Sequence, residues 1–545
     1  MAEIEEIGSF DAIIIGAGMG GLVAGNALAK KGYSVLIVEH HTIPGGCTTN
    51  FERKDFRFEV STHLLNGCEP GGAIYEELRK IDAHDLVEFI KVDTLFLWRD
   101  LLRGRDMRLP LALSDYVEAL VELFPHEEKG IRDFYGKYGR LAEFLYVASR
   151  ASDEDKPALL EEHGSLIEDF RNLQGKTAKD ILDQYVSDPE LREMMTILSG
   201  FFGLCQDELD ALIFIMADLS FRIPGQGGYY PKGGSGHLSA VVADLFQKRG
   251  GKLLLGRRVT ELTFSDGLVD GIIAVKRNGH RFAAKSRCVI ANSDLTTLVS
   301  DLAPAGTFPN DYVEMIRERV PCCSAVIIYA GLDFDLRDRG INEYEIHATW
   351  GEESSSSLIN EISRTGDYSR LPNGSVTVYS NVDPSCCPEG KSVIATICFA
   401  DPEVFEAALE GGRKRGKAYK ALKKRITSQI LEKMGRTLQV PDLERHVEVV
   451  ELATPVTMKR YTLHRNGSFV GWKYTPDQGG FDPIPQQSPV ENLFLCGHWV
   501  FPAGGVAPVI AGGNNAAAMA DEYLSNGSRA IDTAPGPREI RGEFE

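Results

Sequence analysis

Residues 11–46 read DAIIIGAGMGGLVAGNALAKKGYSVLIVEHHTIPGG, and the fold of the chain turns on them. An apolar run, Ala12 to Ile15, leads directly into Gly16-x-Gly18-x-x-Gly21. A small-residue segment of helical character follows, then a second apolar run, Ser34 to Val38, ending on Glu39. Gly16 permits a tight turn off the first strand, Gly18 lets backbone approach a pyrophosphate, and Gly21 lets the helix lie on the sheet. Unpaired N–H groups at the helix start, at the positive end of its dipole, attract phosphate. Glu39 stands 18 residues past Gly21, where a carboxylate accepts hydrogen bonds from ribose hydroxyls. Ala17, Met19 and Gly20 in the turn, and His40 beside the acid, complete the expected contact set. Strand, glycines, helix, strand and acid in this order predict a βαβ unit that grips an adenine dinucleotide.

The chain has 545 residues, room for about three domains. A hydrophobic fraction of 43% and a charged fraction of 25% are those of a globular enzyme. The net charge of -19 argues against nucleic acid, whose phosphates would be repelled. One basic run, Arg413-Lys414-Arg415 to Lys424-Arg425, reads as the solvated face of a helix, with peripheral contact to anionic lipid the second reading. The ten cysteines form no C-x-x-C pair and no zinc-ligand spacing, so no metal site is expected. They read as reduced thiols of a cytoplasmic protein. The acidic opening MAEIEEIGSF lacks the basic and apolar regions of a signal peptide. Ala12–Ala29 is apolar throughout, but its glycines and fingerprint explain it better than a membrane span does.

Residues 113–217 turn helical in pattern, with apolar residues at three- and four-residue spacing. Inside that region MMTILSGFFGLCQDELDALIFIMADLSF, 194–221, is unusually apolar and is expected to be buried; the wall of an apolar channel is its second reading. Residues 227–275 read as loop, helix, strand and a hairpin around Ser265-Asp266-Gly267. Arg287–Asn292 reads as a further buried strand of the nucleotide-binding sheet. Between 320 and 480, SAVIIYAGLDF, GSVTVYSNV and SVIATICFA alternate with the basic helix, which predicts a second sheet carrying its own helices. The strand Asn492–Gly497 and a small-residue helix, Ala511 to Ala520, end the folded part.

With these pieces placed, the chain resembles the flavin-dependent amine oxidase superfamily, and within it the phytoene desaturase, carotenoid isomerase and retinol saturase branch. The resemblance rests on the fingerprint, on PGGCTTNFERKDFRFEVSTHLLNG (44–67) and on YYPKGGSGHLSAVVADLFQKRGGKLLLGRRVTEL (229–262). It continues through CVIANSDL (288–295) and ENLFLCGHWVFPAGGVAPVIAGGNNAA (491–517). It implies an α/β fold: a Rossmann-like FAD-binding domain of the amine-oxidase type, assembled from residues 1–75, 225–300 and 485–530. An α+β substrate domain would comprise 76–224 and 301–484, with 531–545 a flexible tail.

Carried over by position, the resemblance gives Gly16, Gly18 and Gly21 the pyrophosphate of FAD and Glu39 the adenosine ribose. Gly45 and Gly46 would approach the phosphates and ribityl chain, with Cys47 standing where many relatives have Arg or Lys. Val259 would pair its backbone with the adenine. Gly497, Val506, Ala507 and Pro508 would lie along the ribityl chain and flavin. Three departures mark this chain: Cys47, Glu59-Val60-Ser61 in place of Asp-x-Gly with His63 close by, and Gly497-His498 in place of Gly-Asp. Cys47 with His63 tilts the resemblance towards saturases and isomerases.

The reaction implied is hydride or electron exchange between flavin N5 and a carbon–carbon double bond of an apolar polyene. Saturation and desaturation need a proton donor or acceptor, and His63 and His498 are the candidate catalytic residues because imidazole titrates near neutrality. Gly233-Gly234-Ser235-Gly236 lacks a preceding strand and a partner acid, so no nicotinamide site is read there. Electrons would then pass to or from a quinone, oxygen or a separate reductase. Two other readings are a flavin amine oxidase acting on another apolar substrate, and a non-catalytic prenyl-binding escort of the same fold.

Overall fold

The computed structural model describes residues 4–151, 154–351, 355–502 and 504–526, so the tail at 531–545 lies outside the described residues. Ala12 to Ile15 form the end of a strand, Glu5–Ile15, with neighbours on both sides. Ala12 to Ile15 run parallel to Cys288 to Ala291 and to Val35 to Val38. Lys252–Leu254 extends the sheet beyond Val35–Val38, and Leu493–Leu495 extends it beyond Val289–Ala291, both in parallel. The segments Ala12–Ile15, Val35–Val38, Val289–Ala291 and Leu493–Leu495 are continuous apolar runs because both sheet faces are covered there. Ala12, Ile14 and Ile37 face the helices Met19–Lys30, Ser235–Lys248 and Val506–Asn526. Ile13, Ile15, Leu36 and Val38 face a second layer that includes the hairpin Arg257–Ser265/Leu268–Lys276. That hairpin turns through Asp266 and Gly267, both at positive φ.

One strand, Arg281–Ala291, changes partner along its length. Its first half pairs antiparallel with Gly271 to Val275, and its last three residues pair parallel with Leu493–Leu495. Asn492 fills the fork. Its side chain accepts a hydrogen bond from Val269 N–H (2.9 Å) and donates to the carbonyls of Val269 (2.7 Å) and Arg287 (2.8 Å). A buried amide thereby replaces the peptide that a continuous ladder would have supplied.

The second sheet has seven strands in the order Val447–Ala453, Ser324–Leu332, Ser392–Ala400, Asn373–Val378, Glu345–Thr349, Thr94–Asp100, Arg105–Pro110. All its pairs are antiparallel except Glu345–Thr349 with Thr94–Asp100. Alternation splits it into two faces. Ile346, Ala348, Val376 and Val378 pack against the helix Lys417–Thr437, while Phe96 and Trp98 join the helical layer from residues 113 to 219.

Three expectations are modified. The apolar stretch 194–221 is not simply buried: Leu198 and Phe214 are, but Phe201, Phe202, Leu212, Ile213 and Met216 line the main cavity. The basic helix is not wholly solvated. Lys433 is buried and donates to the Leu371 carbonyl, and half-buried Lys423 borders the cavity. The C-terminal helix begins five residues earlier than its composition predicts, at Val506. Among the described residues, no helix is long and apolar enough to cross a membrane, and no cluster of His, Cys, Asp and Glu is arranged to hold a metal ion. All ten cysteines are free.

Candidate active site

Among the described residues, a large cavity of about 2850 Å³ is lined by residues of both sheets. That exceeds the range of an ordinary small-ligand pocket, about 300–1,000 Å³. Its wall includes His40, Gly46, Cys47 and Arg258, His498 and Val506 to Pro508, strands of the second sheet and helices of 189–219.

The fingerprint glycines stand directly behind this wall. Met19–Lys30 starts on Gly18, which lies in extended backbone and offers no side-chain cap, so the first amides of the helix are free of side-chain partners. Gly45 donates its N–H to Ala17 O (2.8 Å), and a Cβ on Gly46 would come within 3.2 Å of the Gly18 Cα. The two glycine motifs therefore close on each other with no room for side chains. Part of the glycine requirement has another source. Asn292 sits at the centre of the cluster, where a Cβ on Gly18 would lie 2.9 Å from its Nδ2, one on Gly20 3.2 Å from its Oδ1, and one on Gly497 2.5 Å from its Oδ1.

Glu39 is buried at the end of its strand. One carboxylate oxygen accepts from Ala17 N–H (2.8 Å); the other accepts from His41 N–H (2.6 Å) and meets His40 Nδ1 (3.1 Å). Burial pushes this carboxyl up, but the bonds from His40, His41 and Ala17 prevail and hold it below its ordinary value. Val259 is buried in the hairpin, opposite Ala274, and its neighbour Arg258 is the residue that reaches the cavity.

His498 and His63 occupy different surroundings. The His498 ring packs on His464 (4.4 Å between centroids) and Trp499 (5.2 Å), and its Nε2 is buried without a hydrogen-bond partner. Burial, then the neighbouring His464, push it well below its ordinary pKa, so the neutral ring prevails at pH 7. That disfavours His498 as a proton donor in the imidazolium form. His63 Nδ1 lies 3.0 Å from Thr377 Oγ1 and 3.3 Å from Glu345 Oε2. The main chain around it is held by three tyrosines, one in the second sheet and two at the ends of its strands: Tyr329 donates to Val60 O (2.7 Å), Tyr379 to Thr62 O (3.0 Å) and Tyr344 to His63 O (2.5 Å). From the strand Gly228–Pro231 and the helix Ser235–Lys248, the Tyr230 hydroxyl and Ser235 N–H hold Glu59 at 3.1 and 2.8 Å. Burial keeps Glu59 above its ordinary pKa despite these bonds.

Glu345, Thr377 and the three tyrosines escape motif reading because they lie in unremarkable strands and loops, while Asn292 falls in the CVIANSDL block with no role assigned to it. The one available signal is alternation: Glu345, His347 and Thr349 put polar groups on one face of a strand whose other face, Ile346 and Ala348, is core. Cys47 lines the cavity, its thiol pushed up to about 11 by burial and so protonated. The turn 233–236 packs closely: a Cβ on Gly234 or Gly236 would strike Asn50, and Lys232 is exposed in an ion pair with Glu88.

The model of the flavin containing amine oxidoreductase family matches residues 19–520. The chain belongs to that family. Its cofactor is FAD, and it is an FAD-dependent enzyme. The chain is 26% identical over 534 residues to prolycopene isomerase 2 of an Oncidium hybrid cultivar, covering 94% of this chain and 84% of that one. It is 24% identical over 513 residues to all-trans-retinol 13,14-reductase of Danio rerio, covering 89% and 82%. In fold it is similar to an oxidoreductase from Methanosarcina mazei, with a TM-score of 0.60, 18% identity, and coverage of 93% and 99%. The flavoprotein reading fits the site on two observations. A helix starts uncapped where the two glycine motifs meet, and the buried Nε2 of His498 and Nε1 of Trp499 on the cavity wall have no partners.

Proposed function

We propose that this enzyme acts on carbon–carbon double bonds of a hydrophobic polyene of carotenoid or retinoid type, as a saturase, isomerase or desaturase. The observation that carries the reading is that one cavity is lined both by Gly46, His498 and Val506 and by the apolar side chains of Phe201, Phe202, Leu212, Ile213 and Met216. A long apolar chain gains affinity in proportion to the area it buries there, at about 25 cal/mol per Å2. The likeness to an isomerase and a reductase named for polyenes supports the same class.

In this reading Gly18, Gly45 and Gly46 hold the pyrophosphate of FAD, Glu39 the ribose, Val259 the adenine, and Gly497 with Val506, Ala507 and Pro508 the ribityl chain and ring. Bound FAD supplies hydride or electron exchange at its ring. Neutral His498 serves as a hydrogen-bonding neighbour of the cofactor. His63, oriented by Thr377 and Glu345, is the group that exchanges a proton with substrate. The protein works in the cytoplasm, with peripheral contact to a lipid surface, and its flavin passes electrons to a quinone or oxygen, or takes them from a quinol or a separate reductase.

The test is anaerobic incubation of the FAD-loaded protein, oxidised and then dithionite-reduced, with phytoene, a poly-cis carotenoid and retinol. Product from oxidised flavin alone marks a desaturase. Product from reduced flavin alone marks an isomerase if mass is unchanged and a saturase if two hydrogens are gained. Absence of product from all three overturns the polyene reading.

A further inference from the structure

His40 stands between two acceptors that belong to distant parts of the chain. Its Nδ1 lies 3.1 Å from Glu39 Oε1, and its Nε2 lies 3.1 Å from the carbonyl oxygen of Arg460, in the helix Pro455–Thr462. A neutral imidazole has one donor nitrogen and one acceptor nitrogen. Either neutral tautomer therefore sets a lone pair against an oxygen at one of the two contacts. Only the imidazolium, with two N–H groups, donates to both.

Other contacts join the same two segments. The His41 ring meets Tyr461 edge-on at 5.0 Å, and His464, two residues past the helix, packs on His498 at 4.4 Å. Arg465 N–H donates to Asp294 at 2.8 Å. His40, His41, Arg460, Tyr461 and His498 all line the cavity. Glu39 itself accepts from Ala17 N–H, His41 N–H and His40, which leaves about one acceptor direction of the carboxylate for a further donor.

The charged neighbours of His40 are Glu39, Arg258 on the adjacent hairpin and Arg460, whose guanidinium lies over Tyr461. Burial and Arg258 work against its proton, but the hydrogen bonds to Glu39 and to the Arg460 carbonyl, with the charge of Glu39, prevail and raise it above its ordinary value. His41 and His464 are pushed down by burial, so they add no competing cation at neutral pH.

We propose that His40 is a positioning residue for the cofactor: as an imidazolium it ties the carboxylate of Glu39 to the main chain of Arg460, and FAD is held more tightly while that proton is in place. This rests on the assignment of Glu39 to the ribose made above. When the proton leaves, one contact turns repulsive, and Glu39 loses the cation that balances it beside an anionic cofactor. A raised pKa means that the tie is complete below 6.5 and is lost as pH rises through the higher value.

The test follows release of FAD from the holoenzyme after dilution, read as recovery of flavin fluorescence, from about pH 6 to about pH 9.5. Release should be at least about tenfold faster at the alkaline end, along one titration centred above 6.5. His40→Gln has a donor and an acceptor at every pH, so it should release FAD at the fast rate throughout, with no titration. Nitrogen-15 shifts of the histidine rings, with the His40 signal found by its loss in His40→Gln, should show both of its nitrogens protonated at about pH 7. A wild-type release rate independent of pH, the same pH dependence in His40→Gln, or a neutral His40 ring at pH 7 overturns the proposal. Glu39→Ala separates the two readings: release no faster than wild type overturns the ribose assignment, whereas fast release beside a flat wild-type profile overturns the role of His40 alone.

Discussion

The Tyr344 hydroxyl donates a 2.5 Å hydrogen bond to the carbonyl of His63, tying the segment that carries His63 to the second sheet. Tyr344 is buried just before the strand Glu345–Thr349, and His63 lines the cavity. Tyr344→Phe leaves that carbonyl short of its partner. A loss of about 1–3 kcal/mol is expected, read as a lower urea midpoint with an unchanged slope.

Gly46 is held at φ +62°, and a side chain there would press on the Gly18 backbone. Gly46→Ala carries about 1–2 kcal/mol of left-handed strain and narrows the place where the glycine motifs meet. The purified variant should be paler than wild type, with a lower ratio of flavin to protein absorbance. Full flavin occupancy would show that phosphate does not bind at this place.

The buried histidines should cost the fold stability on acidification. Burial lowers the His347 pKa from 6.5 to about 4, and it lowers His464 and His498 in the same direction. The unfolded chain therefore takes up protons first as pH drops below 6.5, and stability is lost between there and about 4. Glu345, depressed from 4.5 to about 2, extends the loss below pH 4.5. Denaturant midpoints measured at about pH 7 and about pH 5 should differ, and His347→Phe should shrink the difference.

Asn492 makes three hydrogen bonds in a fully buried fork of the first sheet. Asn492→Leu strands one N–H and two carbonyls, so a loss of more than about 3 kcal/mol is expected. Hydrogen exchange should locate the weakening at Val269 and in Leu493–Leu495. Uniform loosening of the chain would argue that the fork is not where the energy sits.

The amino-terminal βαβ unit was legible because each part has a local cause: period, glycine and acid all fall within 11–46. The Asp266-Gly267 hairpin and the strands at 324–332 and 392–400 were legible for the same reason. His63 could be singled out by type and neighbourhood. Its partners could not, since Glu345 and Thr377 are 282 and 314 residues away.

By itself, then, the sequence determined the cofactor class and the two-sheet plan, because turns, strand periods and a phosphate-binding helix start are properties of short stretches. Only the tertiary structure decided that Asn292 shares the glycine pocket, that His498 is neutral beside His464, and that a polar strand face looks into the cavity. Those outcomes depend on which distant surfaces meet, and on burial, which no local pattern encodes.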